Sequence, residues 1–358
     1  MKAFLTWACL CLLPLLAAEE WAAARAGYHF EFPRDHGPHL EHKIEWWYFT
    51  GNLRSDAGRR FGYQLTFFRI GAVAKPRIES PWALRDVWMA HFAVSDVEGN
   101  TYHSADRLNR AGPGLAGATA ARIWNEDWLC NVGGVSAFEV AAADRGFAIQ
   151  LKMKNAGKPV IHGQEGISQK GSTPGNASHY YSLTRLVTEG TVKVGEETLR
   201  VSGESWMDHE FGTSFLEKGQ QGWDWFSAQL NDGSALMLFQ LRRTGQETAD
   251  TSAGTLVRAD GEVISLKSGD FHLKAVGQGT PYPLEWQIQV PAHGISLKCS
   301  AVMAGQEFRA ASTPGLNYWE GAVDYQGTAA GKAVAGHGYL EMTGYRGEAM
   351  SRWFGVGD

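Results

Sequence analysis

Two stretches of this chain follow one plan, and that repetition restricts the fold more than any other feature. EWWYFTGNL (45–53) enters the turn-rich RSDAGRR and continues as FGYQLTFFR (61–69). GWDWFSAQL (222–230) enters NDGS and continues as ALMLFQLRR (235–243). Aromatic and β-favouring runs on either side of an Asp/Gly turn read as β-hairpins. HFAVSDVEGNTY (91–102) has a counterpart in GTLVRADGEVIS (254–265). TEGTV (188–192) followed by GESWMD (203–208) has one in WEGAV (319–323) followed by GYLEMT (338–343). Four matches in one order point to two copies of an all-β unit, residues 27–214 and 215–358. A repeated antiparallel meander closes most readily into a barrel, which removes exposed sheet edges. The expected fold is therefore two tandem antiparallel β-barrels, each with room for one small ligand in its lumen.

Composition agrees. The 358 residues include 43 Gly and 14 Trp, with 20% charged residues, a mixture of short strands and turns. A net charge of −5 and the absence of any Lys/Arg cluster argue against a nucleic-acid partner. Lys2 followed by FLTWACLCLLPLLAA (4–18) reads as a signal peptide, residues 1–26, with Ala24-Arg25-Ala26 as the cleavage pattern. A cut after Ala18 is the alternative. No second apolar run is long enough to span a membrane, so the expectation is a periplasmic or secreted protein. Cys130 and Cys299 would then remain, as two buried free thiols rather than a bridge between the halves. No nucleophile elbow, P-loop, dinucleotide fingerprint or zinc-protease motif is present, and no cofactor or metal is expected.

GESWMDHEFGTS (203–214) concentrates the polar chemistry. As a strand it places Trp206, Asp208 and Glu210 on one face and Met207, His209 and Phe211 on the other, which separates Asp208 from His209. In SHYYSLTRL (178–186) the same alternation groups His179, Tyr181 and Arg185. If the two strands are neighbours, His179 and Tyr181 face Trp206 and Asp208 across a lumen. A carboxyl beside aromatic rings has a raised pKa, as a general acid near neutral pH requires. The plainer reading is that Asp208 caps the barrel end and His179 is a packed histidine. PRDHGPHLEHKIEWW (33–47) gathers Asp35, His36, His39 and His42 without a fixed ligand spacing and reads as a structural segment with polar contacts. The ligand-binding candidates are Trp46, Trp47, His91 and Arg185; for His91, on a strand, a satisfied interior histidine is the default. The polar loop 163–178 reads as a mobile lid.

FPRDHGPHLEHKIEWWYFTGNL, NASHYYSLTRL and SWMDHEFGTS together resemble the AttH-like/carotenoid 1,2-hydratase family, and YWEGAV and GYLEMTGY resemble its second, lipocalin-like domain. The resemblance covers nearly the whole chain after residue 26 and implies a pair of lipocalin-like barrels. It further implies cofactor-free acid–base addition of water to an isolated double bond, or isomerisation of a terpenoid or lipid-like substrate. His179, Tyr181, Trp206 and Asp208 stand where the hydratase acid–base set falls. The alternative function is a non-catalytic periplasmic lipid carrier working with an ABC transporter.

Overall fold

The computed structural model describes residues 21–76, 78–245, 248–277, 281–346 and 350. The expected signal sequence falls on residues 1–20, outside the described residues, and on 21–26, which are ordered against the body of the protein. Ala22 N–H donates to Glu41 O at 2.8 Å, and His42 Nδ1 lies 2.8 Å from Ala22 O.

Among the described residues the secondary structure is strands with three short 3₁₀ turns. They form two antiparallel sheets, of 13 and 10 strands, each curled into a barrel-like shell. Across the first, the order is 101–110, 86–96, 60–71, 44–55, 197–212, 177–194, 147–155, 137–144, 128–132, 122–125 and 116–119. Across the second it is 263–267, 253–257, 235–243, 220–230, 332–343, 317–329, 295–301, 285–290 and 272–276. The nine strands of the second order follow the same plan as the first nine of the first, which adds 122–125 and 116–119 at its end; this agrees with the duplication read from the sequence. In the first sheet the first strand reaches the penultimate one, 122–125: Asn109 Nδ2 donates to Asn125 Oδ1 at 2.8 Å, and Arg107 Nη1 to Asn125 O at 2.9 Å.

Three apolar cores result. One fills the first shell, with Trp47, Phe49, Tyr63, Trp88, Trp128, Leu183 and Met207. One fills the second, with Phe226, Trp286, Leu297, Trp319 and Leu340. The third lies between the shells, where Tyr48, Tyr180 and Trp206 meet Trp225, Phe239, Tyr318 and Tyr339. Burial patterns follow from this. Phe147–Asn155 alternates buried and exposed, as a strand with one wet face should. Asp86–Asp96 is buried almost throughout, because one face fills its own shell and the other meets the second sheet.

The contact between shells is pseudo-symmetric. Asn52 Nδ2 donates to Gly338 O at 3.0 Å, and its counterpart Gln229 Nε2 donates to Ser205 O at 3.0 Å. Gly62 permits the close approach, since a Cβ there would sit 2.7 Å from the Tyr339 hydroxyl. One of the sequence matches slides, however. Ser182 pairs with Asp208 and Glu320 with Glu341, so Tyr180-Tyr181-Ser182 corresponds to Tyr318-Trp319-Glu320. TEGTV lies further along its strand than WEGAV does.

Candidate functional site

Strand register builds the site. Ser182 lies opposite Asp208, Asp208 opposite Tyr48, Tyr48 opposite Thr66, and Thr66 opposite His91. Opposed residues on antiparallel strands share a face. These five side chains therefore form one polar row across five strands, on the side of the first sheet turned toward the second. The equivalent row opposite is Glu320, Glu341, Trp225 and Phe239. Between them is a narrow cleft with a free volume of about 90 Å³. Its other walls are largely aromatic, including Trp46, Phe68, Tyr180, Phe215 and Trp223.

Asp208 is 4% exposed and holds three donors: Trp206 Nε1 at 2.6 Å, the Tyr180 hydroxyl at 2.6 Å, and the Ser182 hydroxyl. Burial nevertheless outweighs them and pushes its carboxyl up to about 7. Glu341, which accepts from Trp223 Nε1 at 2.9 Å, is raised by burial to about 7 as well. Glu320 is held well above the ordinary carboxyl range by burial and by the neighbouring Glu341. His91 Nδ1 is 2.7 Å from the Tyr318 hydroxyl, and burial lowers the imidazole to about 4, so it is neutral at pH 7. Lys170 reaches Glu210 Oε1 at 2.7 Å at one end of the cleft. Two facing walls thus carry three interacting carboxyls that burial raises, in aromatic surroundings.

The structure separates the four expected acid–base residues. Trp206 and Asp208 share the cleft face. His179 and Tyr181 point the other way, into the first shell, because Ser182, not Tyr181, opposes Asp208. The Tyr181 hydroxyl is 2.7 Å from His36 Nδ1 and 3.1 Å from His209 Nδ1, and His179 packs 4.4 Å from the Tyr28 ring. Alternation within each strand was read correctly, but it does not fix the phase of one strand against its neighbour. The place occupied by His179 and Tyr181 in that reading belongs to Tyr180 and Ser182. Among the described residues neither shell has an open lumen. Large aromatic side chains fill both shells, and the cleft lies between them.

Of the ligand-binding candidates, Trp46 and His91 line the cleft. Trp47 is buried in the first shell with its Nε1–H on His36 O at 2.9 Å. Arg185 is engaged away from the cleft, with Glu204 at 2.6 Å and Leu230 O at 3.1 Å. The loop 163–178 is fastened down rather than a free lid: Gln220 Nε2 donates to Lys170 O at 2.8 Å, and Asn176 Nδ2 to Ser214 Oγ at 2.9 Å. Tyr48, Tyr180, Ser182, Glu320 and Tyr318 were not singled out from sequence. The repeated STPG at 172–175 and 312–315 marks the approach to the two long strands, but its spacing aligns Ser182 with Ala322, two residues past Glu320.

A family model described as AttH-like matches residues 23–345. The chain belongs to the AttH-like family. A crystal structure of an AttH from Nitrosomonas europaea superposes with a TM-score of 0.81 at 29% identity, covering 91% of this chain and 100% of that one. Kievitone hydratase from Nectria haematococca superposes with a TM-score of 0.69 at 14% identity, covering 91% and 96% of the two chains. CghA, in a crystal structure with Sch210972, gives 0.55 at 13% identity, over 85% and 88%. The last two likenesses concern the fold. No curated protein matches the sequence.

Among the described residues one group has the geometry of a metal site: His39, Glu45 and His209, all buried at one end of the first shell. Its protons argue for an ion network instead. His39 Nδ1 is 2.8 Å from Glu45 Oε1 and its Nε2 is 3.4 Å from Asp35. Those two carboxylates outweigh its burial and raise His39 to about 9, so both ring nitrogens carry protons and neither offers a lone pair. Glu45 also binds the fully buried Arg69 at 3.0 Å, and Arg69 reaches Asp86 at 3.0 Å. The histidine-rich segment is a polar plug, and His209 belongs to it.

Proposed function

We propose that this chain is a cofactor-free acid–base hydratase or isomerase acting on an apolar unsaturated substrate in the cleft between its two shells. One observation carries the reading. Asp208 is a fully buried carboxyl raised to about 7, facing an aromatic cavity, and such a group holds a transferable proton at neutral pH. In the proposed step the π pair of the substrate C=C takes the Asp208 proton and forms a C–H bond. The faces of Trp225, Trp46 and Phe239 stabilise the carbocation left behind. Water then forms the C–O bond, and its proton returns to a carboxylate of the cleft, Asp208 or Glu341. Loss of a neighbouring proton instead gives the isomer.

The site residues of this reading are Asp208, Tyr180, Ser182, Trp206 and Glu341; His179 and Tyr181 support the fold behind them. We assign the division of the chain at 214/215 and export through an N-terminal signal to the same reading. The packing of Ala22 against Glu41 and His42 favours a cut after Ala18, because a cut after Ala26 would discard those contacts. A lipid carrier handing its cargo to an ABC transporter needs apolar walls but no buried acids, and three carboxyls in the cleft weigh against it.

The test starts from the molecule that co-purifies with the protein, identified by native mass spectrometry. Wild-type protein is expected to convert that molecule, or its unsaturated precursor, to a product heavier by one water or to an isomer. Asp208→Asn is expected to bind it without converting it. Equal conversion by both proteins overturns the proposal, and so does the absence of conversion by the wild-type protein.

A further inference from the structure

The cleft contains buried polar atoms that the acid–base reading does not use. Gln64 Oε1 and Thr66 Oγ1 have no hydrogen-bond partner, the Tyr48 hydroxyl and Glu320 make at most a poorly formed bond to each other, and all four residues line the cleft. Gln64 and Thr66 are each 1% exposed, and Glu320 is 2% exposed. They are neighbours. Tyr48 opposes Thr66, and the next residues on that face, Thr50 and Gln64, oppose each other. Glu320 faces them from the second sheet, close to the Tyr48 hydroxyl. Gln64 is also oriented: its Nε2 donates to the Tyr318 hydroxyl at 2.7 Å, which leaves the carbonyl oxygen as its free end.

A buried polar atom left unpaired costs on the order of 1–3 kcal/mol, so a cluster of them argues for something that completes it. The chemistry of the cluster is specific. Gln64 Oε1 can only accept, Thr66 and Tyr48 can donate or accept, and Glu320, whose burial favours the protonated form, can do both in that form. A hydroxyl group satisfies such a set by donating to Gln64 while accepting from Thr66 or Glu320. A hydrocarbon satisfies none of it. Thr66 is two strands from Asp208 along the row, which at about 4.8 Å per strand is roughly 10 Å.

We propose that the cleft selects an oxygenated apolar substrate, whose hydroxyl is held by Gln64, Thr66 and Glu320 about 10 Å from the carbon presented to Asp208. This rests on the reading of the cleft as the substrate site and narrows it from hydrocarbons in general to unsaturated alcohols. Gln64, Thr66 and Glu320 are specificity residues here, and the proton transfer remains with Asp208.

The probes are a terminally unsaturated eight-carbon alcohol, whose extended length matches that span, and the corresponding hydrocarbon. Their binding is followed by tryptophan fluorescence and calorimetry on full-length Asp208→Asn protein, which cannot turn them over. The alcohol is expected to bind at least tenfold more tightly than the hydrocarbon. Thr66→Val combined with Gln64→Leu should erase that preference while leaving hydrocarbon affinity unchanged or improved. Equal binding of the two probes overturns the proposal, since it means the polar atoms are satisfied by water that the alcohol displaces without gain. A preference that survives the double substitution also overturns it. If the double variant does not fold, Thr66→Val alone, nearly isosteric, should still reduce the preference, and the probe comparison on the parent protein stands independently. Because binding is read without chemistry, loss of the preference with turnover intact refutes only this inference. An intact preference without turnover refutes only the acid–base reading.

Discussion

Asp208→Asn separates the proton from the shape it occupies. Burial lifts the carboxyl from 3.8 to about 7, and a shift of roughly three units corresponds to about 4 kcal/mol of differential folding free energy. The sign follows from which state binds the proton more tightly. The folded state does, so the penalty for ionising Asp208 is absent below about pH 4, grows as the pH rises, and is complete above about pH 7. Asparagine cannot ionise and escapes that penalty. Against this, the amide keeps one acceptor oxygen for Trp206 and Ser182 but turns an N–H₂ toward the Tyr180 hydroxyl, which must reorient, at a cost of about 1 kcal/mol. The variant should therefore be about 1 kcal/mol less stable than wild type near pH 4 and as much as about 3 kcal/mol more stable near pH 8. Urea unfolding of both proteins across that range reads the difference directly. A stability difference that does not change with pH would refute the assignment of a raised pKa to Asp208, and with it the argument that this group is a proton donor at neutral pH.

Three further outcomes follow from the same geometry. Glu341→Gln should also gain stability relative to wild type as the pH rises from 4.5 to about 7, with the gain complete above that, since Glu341 is raised by burial like Asp208; because it lines the cleft, turnover should fall, and steady-state assays check this. His209→Ala should cost about 3 kcal/mol in urea unfolding rather than the roughly 1 kcal/mol of an ordinary surface change, because His209 is buried between Glu45 at 2.9 Å and Asp35 O at 3.0 Å and stacks on Trp47. A chain beginning at Gly27 should melt below one beginning at Glu19, and N-terminal sequencing of exported protein should find Glu19; identical melting temperatures would show that the Ala22 contacts contribute nothing.

The fold was legible because duplication repeats its own evidence. The hairpins at 45–69 and 222–243 share turn chemistry and aromatic content, and the two sheets place them at equivalent positions. The site was legible only in part. Period-two alternation put Asp208 and Trp206 together and kept His209 apart, and the structure agrees. It could not reveal that Ser182 opposes Asp208, because inter-strand register is set by the bulge between Leu183 and Leu186 and by packing, neither of which has a local sequence mark. It also could not reveal that the cleft lies between the shells. Strands with both faces buried look alike whether the second face meets a ligand or another sheet. Glu320 and Glu341 join Asp208 through the pseudo-symmetric contact between the sheets, which no single copy of the repeat displays. The polar plug of His39, Glu45, Arg69 and His209 draws on residues up to 170 positions apart, as the span from His39 to His209 shows, so local spacing gave no ligand pattern to read.

The central claim is that Asp208 delivers a proton to carbon in the cleft between the shells, and heavy water tests it most directly. The unsaturated eight-carbon alcohol, or the co-purifying molecule once identified, is incubated in deuterated buffer with wild-type protein and with Asp208→Asn, and the products are analysed by mass spectrometry and NMR. The account predicts one deuterium at a single carbon with one face preferred, formed by wild type, falling away above about pH 7 as the acid ionises, and absent with the variant. Carbon-bound deuterium appearing equally with Asp208→Asn, or no label with wild type from any substrate that occupies the cleft, would contradict it.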